Sequence, residues 1–516
     1  MMIKVFSNPG QIEKEAKEKL GIPDFIMMEH AAQKMADFVF NNFTRIPKIL
    51  VLAGKGNNGA DGYAFVRLLL EKITAPVFIY SFEQPSTKEA LAQYQMCTKL
   101  KDFYDISFIG DAELLELLKI KNKDELLIAD CIYGTGFRDE LAPKVKEVFE
   151  LVNKTEYFKL ACDVPSGLRA DGTVSAGAFS ADVTISMGSD KLCFYSDEAK
   201  AICGDIIIEE IGIPEAAFFQ NNDSGIYRIE EDDIILPYRK APNVHKGKFG
   251  HTVVFPGDKG GACILAAEAA MCFGSGLTSI LDNRVEHDIH RFKISPQIML
   301  AKSLPKKTTC VILGPGVICQ NLTDDQIIGD YFNNKDKRHA GVFDAGVFDT
   351  LGFVQEIEFY SNQEGSQIVL TPHLYELSRF CTLIKQMHPD ADFTLEDITV
   401  ENLSRNLPVK IKVGKEINRL LPNAALVMKS ANTFIAYKQK IYIVTDGCQS
   451  LAKGGSGDVL CGIAGALLSQ GYSALDAAIT ACECHALAAC EFGTEAFNLT
   501  PQKLIEKIVY LFGSRK

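Results

Sequence analysis

The chain lacks the features that mark a membrane, secreted or nucleic-acid-binding protein. No apolar run approaches the ~20 residues that a membrane-spanning helix needs, and the N-terminal MMIKVFSNPGQIEKEAKEKL has no apolar core of signal-peptide length. The 54 Lys and Arg residues are outnumbered by 66 Asp and Glu, so the net charge of −12 gives no general attraction to nucleic acid or anionic membrane. We therefore expect a soluble cytoplasmic protein with neither partner.

Zinc-spaced cysteine pairs are also missing. The sequence has 15 cysteines but no CxxC pair. Several lie in apolar helical stretches, such as Cys482, Cys484 and Cys490, where cysteine behaves as a small buried hydrophobe. The CECH segment at 482–485 lies in an alanine-rich helical pattern, and we do not expect it to bind metal.

The length and local composition indicate two domains. A chain of 516 residues exceeds what one hydrophobic core usually serves. The polar, turn-rich QNNDSG at 220–225 separates two ordered patterns. We expect one domain over residues 1–220 and a second over 226–516.

Both halves alternate short apolar strands with helices. In the first half the predicted strands are 48–53, 76–80, 125–129 and 158–162, and in the second half 251–255, 309–313, 367–370 and 425–428. Helical spacing is found at 63–72 and 87–100. Continuous apolar strands predict parallel sheets covered on both faces, the α/β class, with ligands beyond the carboxyl ends of the strands.

A glycine loop, GKGNNGADG (54–62), follows the first predicted strand of this pattern. Glycines let the backbone approach a ligand closely, and the following helix start offers free N–H groups to phosphate. A tight turn with an Asx cap is an equal alternative for this loop alone. DCIYGTGF (130–137) and DVPSGLRADG (163–172) each place an Asp at a strand end. Asp61, Asp130 and Asp163 could then converge, to hold a hard cation or to transfer protons.

The motifs MMEHAA, GKGNNGADG, DCIYGTG, DVPSGL and ADVTISMGSDK occur in the order found in NAD(P)H-hydrate epimerase domains, which residues 1–215 resemble. The resemblance implies a Rossmann-like three-layer α/β/α domain with Asp163 as the proton-transferring residue. It implies a potassium ion at Asn58, Asp130 and Ser166. The implied hydrate-binding residues are Asn57, Asn58, Gly59, Ala60, Asp61, Gly134, Thr135, Gly136, Phe137, Arg138, Asp139, Glu140 and Asp163. Ala32 and Arg169 depart from the family pattern.

The second glycine loop, GGSGDVLCGIAGALLSQG (454–471), is the more informative. Successive N–H groups at a helix start form an anion hole. A carboxylate there would weaken phosphate binding, but it makes sense as a base that deprotonates an attacking hydroxyl. Asp458 is therefore the candidate general base. The alternative is an Asp that stabilises the first turn of a helix.

This loop resembles the phosphate-transfer signature of ribokinase-like kinases. The segments HKGKFGHTVVFPGDKGGA, AAEAAMCFGSGLTSI, ILGPG, LTPH and VMKSANTFI narrow the resemblance to ADP/ATP-dependent NAD(P)H-hydrate dehydratases, over residues 226–510. The resemblance implies a ribokinase-like α/β/α domain that uses ADP or ATP with magnesium. Implied hydrate contacts are Ala262, Gly316, His373 and Asp458, and implied nucleotide contacts are Lys429, Ser430, Ala431, Asn432, Thr433 and Gly457.

Several of these residues have a plain structural alternative or depart from the pattern. His373 could cap a helix, and Lys429 could be a solvated strand end. Ser430 replaces a glycine, Asn432 replaces the commoner His, and Phe273 stands where Arg is frequent. These departures bear on nucleotide binding more than on the reaction.

Together the two resemblances predict one enzyme with two repair activities. The first half would interconvert the R and S forms of hydrated NADH and NADPH, and the second would dehydrate the S form at the expense of ADP or ATP. A small-molecule kinase in the second half, or a nucleotide-sensing binding module in the first, are the alternatives. We also expect a homo-oligomer.

Overall fold

The protein divides into two compact units. The computed structural model describes residues 2–43, 45, 48–120, 122–214, 224–282, 288–317, 325–333 and 339–513. The N-terminal unit comprises residues 4–224 and 405–407, and the C-terminal unit comprises 1–3, 225–404 and 408–516. Over the described ranges no helix is long and apolar enough to span a bilayer.

The N-terminal unit alternates strands and helices. Its strands are β1 (Ile3–Phe6), β2 (Lys48–Ala53), β3 (Val77–Ser81), β4 (Ile106–Phe108), β5 (Leu126–Cys131), β6 (Phe158–Cys162), β7 (Val183–Met187), β8 (Asp190–Lys191) and β9 (Asp205–Glu209). Its helices are α1 (Pro9–Leu20), α2 (Asp24–Asn42), α3 (Asn57–Leu69), α4 (Lys88–Leu100), α5 (Asp111–Leu117), α6 (Pro143–Val152) and α7 (Asp197–Lys200).

The main sheet of this unit is parallel and covered on both faces. Its seven strands run in the order β4-β3-β2-β5-β6-β7-β9. Along β2, Ile49 and Val51 belong to one buried cluster, shared with α2 and α3, whereas Leu50 and Leu52 belong to another, shared with α6. Alternation between two apolar layers is why every residue of this strand after Lys48 is buried. The predicted fold class is confirmed.

The three motif loops meet because of this strand order. β2, β5 and β6 are neighbours, and all three run in the same direction. GKG follows β2, DCIYGTG spans the end of β5, and DVPSGL follows β6. One detail differs from the sequence prediction: α3 begins at Asn57 rather than at Tyr63. The segment NNGADG therefore forms the first turns of a helix, and only GKG is loop.

The C-terminal unit follows the same plan on a larger scale. Its strands are β10 (Ile226–Arg228), β11 (His251–Val254), β12 (Leu277–Leu281), β13 (Met299–Ala301), β14 (Cys310–Leu313), β15 (Ala340–Phe343), β16 (Gln367–Leu370), β17 (Ala424–Met428), β18 (Thr433–Tyr437) and β19 (Lys440–Val444). Its helices are α8 (Gly260–Cys272), α9 (Asp325–Phe332), α10 (Leu351–Ser361), α11 (Leu374–Met387), α12 (Val400–Arg405), α13 (Leu407–Leu420), α14 (Ser456–Ser469), α15 (Ala474–Phe492) and α16 (Pro501–Phe512).

The strands of this unit form a mostly parallel sheet. Their order is β13-β12-β11-β14-β15-β16-β17-β18-β19-β10, and only β17-β18 and β18-β19 pair antiparallel. Alternate strand residues, such as Val427, join the core made with α8, α14, α15 and α16. On the opposite side, a Cβ on Gly414 of α13 would lie 2.7 Å from Cε of Met428, the residue that follows Val427 in β17. Helices thus cover both sides, as predicted.

Candidate active sites

A cavity of about 870 Å³ lies at the carboxyl ends of β2, β5 and β6. Its walls include α1, α2 and the start of α3 as well as the motif loops. Asn57, Asn58, Asp61 and Asp163 line it, together with the whole segment Gly134–Glu140. Gly59 and Ala60 are buried in the first turn of α3 and do not line it. Most of the residues implied for the hydrate thus share one space.

Asp163 is held in the cavity by its backbone and by a buried lysine. Its φ is +72°, an uncommon conformation for a residue with a side chain, and such strain concentrates at functional sites. The Lys191 ammonium, 1% exposed, lies 2.9 Å from Asp163 Oδ1. Thr135 N–H donates to Oδ2 at 3.3 Å. The carboxylate is therefore fixed between β8 and the GTG loop.

Asp130 and Ser166 form a closed pair beneath the cavity. Asp130 accepts hydrogen bonds from Ser166 N and Ser166 Oγ, both at 2.7 Å, and from Ile132 N at 3.2 Å. Burial raises the pKa of Asp130 to about 7, although these hydrogen bonds oppose the rise. Asn58, in the first turn of α3, is buried, and neither its amide oxygen nor its amide nitrogen has a hydrogen-bond partner among the described residues. Orphaned buried amides are uncommon and call for a ligand.

The cavity carries more carboxyl groups than the motifs predict. Burial raises the pKa of Asp61 well above its ordinary value, and the charges of Asp163 and Glu13 add to the rise. Burial and the charge of Asp163 raise the pKa of Glu13 to about 7. Glu13 lies on α1 and lines the same cavity. It is one charged residue among many in PGQIEKEAKEKL, so periodicity gave no reason to select it.

The two departures in this half are compatible with the site. Ala32 is fully buried in α2. Arg169 braces the GTG loop: its guanidinium donates to Glu140 Oε1 at 2.5 Å and to the Asp139 carbonyl at 3.1 Å. It also lies over the Phe137 ring, 5.7 Å from the centroid. Arg169 thus ties together loop residues that line the cavity.

The second glycine loop begins α14 and carries Asp458 in its first turn. Gly455 precedes the helix with a φ of +94°, a conformation that suits glycine. Burial and the charge of Asp344 raise the pKa of Asp458 to about 7. Burial and then the charge of Asp458 raise the pKa of Cys263, near the start of α8, to about 12. The charge of Asp458 therefore acts on the residue that directly follows the PGDKGGA segment (256–262).

A buried ion pair lies beneath the helix start. Lys429 Nζ is 2.9 Å from Asp344 Oδ1, and Thr371 Oγ1 donates to the same carboxylate at 2.8 Å. Burial alone would raise the pKa of Asp344, but the charge of Lys429 and these hydrogen bonds hold it below its ordinary value. A Cβ placed on Gly457 would lie 3.4 Å from Lys429 Nζ. Lys429 is therefore not a solvated strand end.

The loops after β11, β14 and β15 cross so closely that their backbones are in contact. A Cβ on Gly316 would lie 2.4 Å from the Lys259 carbonyl oxygen and 3.1 Å from Ala262 Cβ, so Gly316 and Ala262 are neighbours. A Cβ on Gly314 would lie 1.8 Å from the Asp344 carbonyl oxygen. Both glycines have positive φ, +73° and +117° respectively. No other residue fits at these crossings.

His373 caps α11, which was the plain alternative for this residue. Its Nδ1 accepts from Glu376 N at 3.3 Å, and its Nε2 is 3.0 Å from Glu376 Oε1. The side chain remains 49% exposed, and the residue forms an isolated parallel bridge with Lys429. The cap therefore places His373 beside the ion pair without burying it.

His485 supports the same helix start from α15. Its Nε2 lies 2.9 Å from the Ser456 carbonyl, and burial lowers its pKa to about 4. A neutral ring that donates this hydrogen bond stabilises the first residue of α14. Cys482 and Cys484 are buried in α15, and within the described ranges no group of three or more His, Cys, Asp or Glu residues could hold a metal ion.

Ser430 and Asn432, the two departures in KSANT (429–433), take part in hydrogen bonds of the segment that links β17 to β18. Lys410 donates from Nζ to Ser430 Oγ at 2.7 Å, and Ser430 Oγ donates to the Asn432 carbonyl at 2.7 Å. Asn432 is buried, and Thr433 begins β18. Phe273 is buried in the core at the end of α8. Ser430 thus links a buried lysine to the segment implied for the nucleotide.

Sequence reasoning missed several polar residues around both loops. Asp344 directly follows β15, so the strand-end rule that selected Asp130 and Asp163 could have found it. Lys191 ends the motif ADVTISMGSDK but was given no role, and Glu376 lies outside every motif; only the fold brings them to Asp163 and His373.

Two known families match the chain, one in each half. Residues 24–193 match the family described as YjeF-related protein N-terminus. Residues 253–510 match the family described as NAD(P)H-hydrate dehydratase.

Whole-chain relatives carry both halves. The bifunctional NAD(P)H-hydrate repair enzyme Nnr of Helicobacter pylori is 34% identical over 510 residues, which cover 99% of this chain and 100% of the relative. The enzyme of the same name from Dictyoglomus turgidum is 27% identical, with 91% and 90% covered. Among solved structures, the ADP/ATP-dependent NAD(P)H-hydrate dehydratase of Bacillus subtilis is 21% identical, with a TM-score of 0.42, 54% of this chain and 94% of that chain covered.

Proposed function

Because the chain belongs to the family of bifunctional NAD(P)H-hydrate repair enzymes, as its motifs predict, we propose that it restores hydrated NADH and NADPH in two steps. The first domain, residues 1–220, interconverts the R and S hydrates. The second, residues 226–516, dehydrates the S hydrate and consumes ADP or ATP. The two steps are complementary because the product of the first is the substrate of the second.

In the first site, the cavity binds the hydrate and Asp163 moves the proton. Its carboxylate is fixed by Lys191 and Thr135 in a cavity whose walls include Asn57, Asp61 and the Gly134–Glu140 segment. Gly59 and Ala60 do not contact the cavity; they are buried in the first turn of α3, next to the residues that line it. A carboxylate held in one orientation can transfer a proton without first reorganising.

The oxygen ligands beneath this cavity fit a potassium ion. Asn58 has an orphaned buried amide oxygen, and Asp130 and Ser166 add carboxylate and hydroxyl oxygens. Hard cations prefer such oxygen donors, and a cation would also compensate the buried charge of Asp130. When bound, the ion supplies a fixed positive charge under the GTG loop, and these three residues would hold it.

In the second site, Asp458 removes the proton from the hydroxyl of the hydrate as the phosphoryl group arrives from the nucleotide. Loss of phosphate from the ring, together with a proton from the adjacent ring carbon, then restores the double bond of NADH or NADPH. The proposed hydrate contacts are Ala262, Gly316, His373 and Asp458. Lys429, Ser430, Ala431, Asn432, Thr433 and Gly457 hold ADP or ATP, taken with magnesium.

One observation carries the chemistry of this second site. Asp458 stands at the N-terminus of α14, where free N–H groups favour phosphate, and its pKa of about 7 suits a base at neutral pH. An Asp that only stabilised the helix would be best placed in solvent, fully ionised. The Lys429 ammonium lies beneath the same helix start, where Asp344 balances its charge.

The decisive experiment supplies a mixture of R and S hydrates to the full-length protein, with and without ATP or ADP. We expect full recovery of reduced-cofactor absorbance with nucleotide and none without it. Recovery that stops after the S fraction would contradict the epimerase assignment. Accumulation of a stable phosphorylated product would contradict the dehydratase assignment and favour a small-molecule kinase.

Two variants separate the halves in that experiment. Asp163→Asn should stop recovery at the S fraction, whereas Asp458→Asn should abolish recovery but leave interconversion of the hydrates intact. The potassium proposal has its own measurement: epimerisation should be faster in potassium than in sodium salts. Asn58→Ala, which removes the orphaned amide, should abolish that difference. An equal response to both salts in the unaltered protein would contradict the site.

A further inference from the structure

The N-terminal cavity is lined by carboxyl groups that no motif contains, and Glu13 is one of them. Glu13 lies on α1 and lines the cavity beside Asp163 and Asp61. Asp163 is paired with the buried Lys191 ammonium at 2.9 Å. Across the part of the chain that the structure describes, no ion pair is found for Glu13, although Lys14, Lys17 and Lys19 on the same helix all pair with other carboxylates.

The two carboxyl groups therefore lie in different electrostatic surroundings. The carboxylate of Asp163 has the Lys191 ammonium directly beside it. Burial and the negative charge of Asp163 raise the pKa of Glu13 to about 7, so Glu13 keeps a proton at neutral pH far more often than a solvated glutamate. The charges of Asp163, Lys191, Asp24 and Lys17 act on Glu13, and the charges of Asp163 and Glu13 act on Asp61.

A neighbouring acid and base are what this substrate requires. Hydration of a dihydronicotinamide adds water across an enamine, which leaves the hydroxyl on the carbon bonded to the ring nitrogen. Inversion at that carbon needs a proton on the departing oxygen and a base for the water that returns. A pair of carboxyls in environments that separate their protonation states supplies both roles.

We propose that Glu13 is a further catalytic residue of this site, the acid that protonates the departing hydroxyl while Asp163 serves as the base. This inference rests on the epimerase activity proposed above. The C–O bond breaks as the Glu13 proton joins the hydroxyl to form water, and the lone pair of the ring nitrogen forms a C=N⁺ bond. Water then adds to the opposite face and gives a proton to Asp163. Nothing is oxidised or reduced, and exchange with solvent restores the starting protonation.

The test measures interconversion of a purified R hydrate by the full-length protein without nucleotide, with the S hydrate separated by chromatography. Glu13→Gln keeps the shape of the side chain but cannot transfer a proton. We expect kcat to fall by about 10²- to 10⁴-fold with little change in KM. Glu13→Asp should restore part of the rate. Glu18→Gln, an exposed change on the same helix, is the matched control and should leave the rate unchanged.

The pH profile separates a chemical role from a structural one. An acid must be protonated, so we expect the epimerisation rate of the unaltered protein to fall as the pH rises through about 7. The residual rate of Glu13→Gln should lack this fall. A wild-type rate in Glu13→Gln, or the same alkaline fall in that variant, would overturn the inference. Failure of the unaltered protein to interconvert the hydrates would instead overturn the epimerase proposal itself.

Discussion

The Asp458 carboxyl group must lose its proton before it can act as a base. Its pKa is raised to about 7, so the ionised fraction grows as the pH rises through that value and falls about tenfold per unit below it. We predict that dehydration of the S hydrate at saturating ATP follows this curve and reaches a plateau in alkaline buffer. Asp458→Asn should abolish turnover while ATP still binds, measured by calorimetry. A rate independent of pH between 5 and 8 would contradict the assignment.

Glu483 is a residue whose burial should limit stability. It is fully buried in α15, and burial together with Asp446 raises its pKa to about 10. The unfolded chain releases the Glu483 proton near pH 4.5, whereas the folded state keeps it up to a pH of about 10. Across this window the free energy of unfolding falls as the pH rises, by up to about 1.4 kcal/mol per unit for this group.

Glu483→Gln should remove that dependence. We predict a higher melting temperature than that of the unaltered protein at pH 8 and a much smaller difference at pH 5, measured by thermal unfolding. Glu491→Gln, an exposed change near the end of the same helix, should have no effect at either pH. A loss of stability at pH 8 in Glu483→Gln would show that the carboxyl is needed in its charged form.

Residues at strand ends were predictable, and residues that depend on packing were not. Asp130 and Asp163 follow from the rule that ligands bind beyond the carboxyl ends of parallel strands. Glu13 reaches the cavity because α1 joins the buried cluster to which α2 belongs, and nothing in the sequence of α1 alone indicates that packing. The roles of the individual site residues, and the potassium ion, stay predictions.

At the level of elements, α14 depends on a close approach to α8. A Cβ on Gly462 would lie 2.3 Å from the Ala266 carbonyl oxygen and 2.6 Å from Ala269 Cβ. We predict that Gly462→Ala costs about 1–3 kcal/mol of stability, because the two helices must separate. Dehydration should also fall, since α14 carries Gly457 and Asp458.

The matched control is Gly352→Ala, in the first turn of α10, where a Cβ would meet nothing within 4 Å. That variant should be neutral or slightly more stable, because alanine loses less conformational freedom on folding. Urea unfolding of the two variants gives the comparison. Equal stability of both would show that the helices can separate without cost.

Element types were predictable from the pattern, whereas one boundary was not. Successive residues of a strand such as β2 enter two different buried clusters, so the strand has no polar face. Strands that are apolar throughout are typical of parallel sheets, and the sequence showed this pattern. The helix start at Asn57 was missed because two glycines and two asparagines disfavour a helix on intrinsic propensity. In the structure α3 is held there by packing: Tyr63, Phe65 and Val66 are fully buried.

For the whole molecule, the separate cores of the two units predict separate responses to ligands. Among the residues that the structure describes, the core around α8 and α14 has no member in common with the two buried clusters of the main N-terminal sheet. We predict two thermal transitions, of which ATP raises only one. At 100 times its Kd, ATP adds about 2.7 kcal/mol to the unit that binds it. Asp458→Asn should show the same shift. A single transition, or equal shifts of both, would contradict the prediction.

The α/β class and the family were predictable because both rest on motifs in a fixed order along the chain, and both are confirmed. Oligomeric state depends on surfaces that carry no motif, so the expected homo-oligomer stays a prediction.

In the C-terminal unit, the crossing of the loops after β11, β14 and β15 limits how this enzyme can change over evolutionary time. Gly314 and Gly316 each face a backbone carbonyl at a distance that no side chain can occupy. Every single-nucleotide missense change at these codons adds a side chain and should be removed by selection. New substrate preferences can then arise only through neighbouring side chains, while the backbone path stays inherited unchanged.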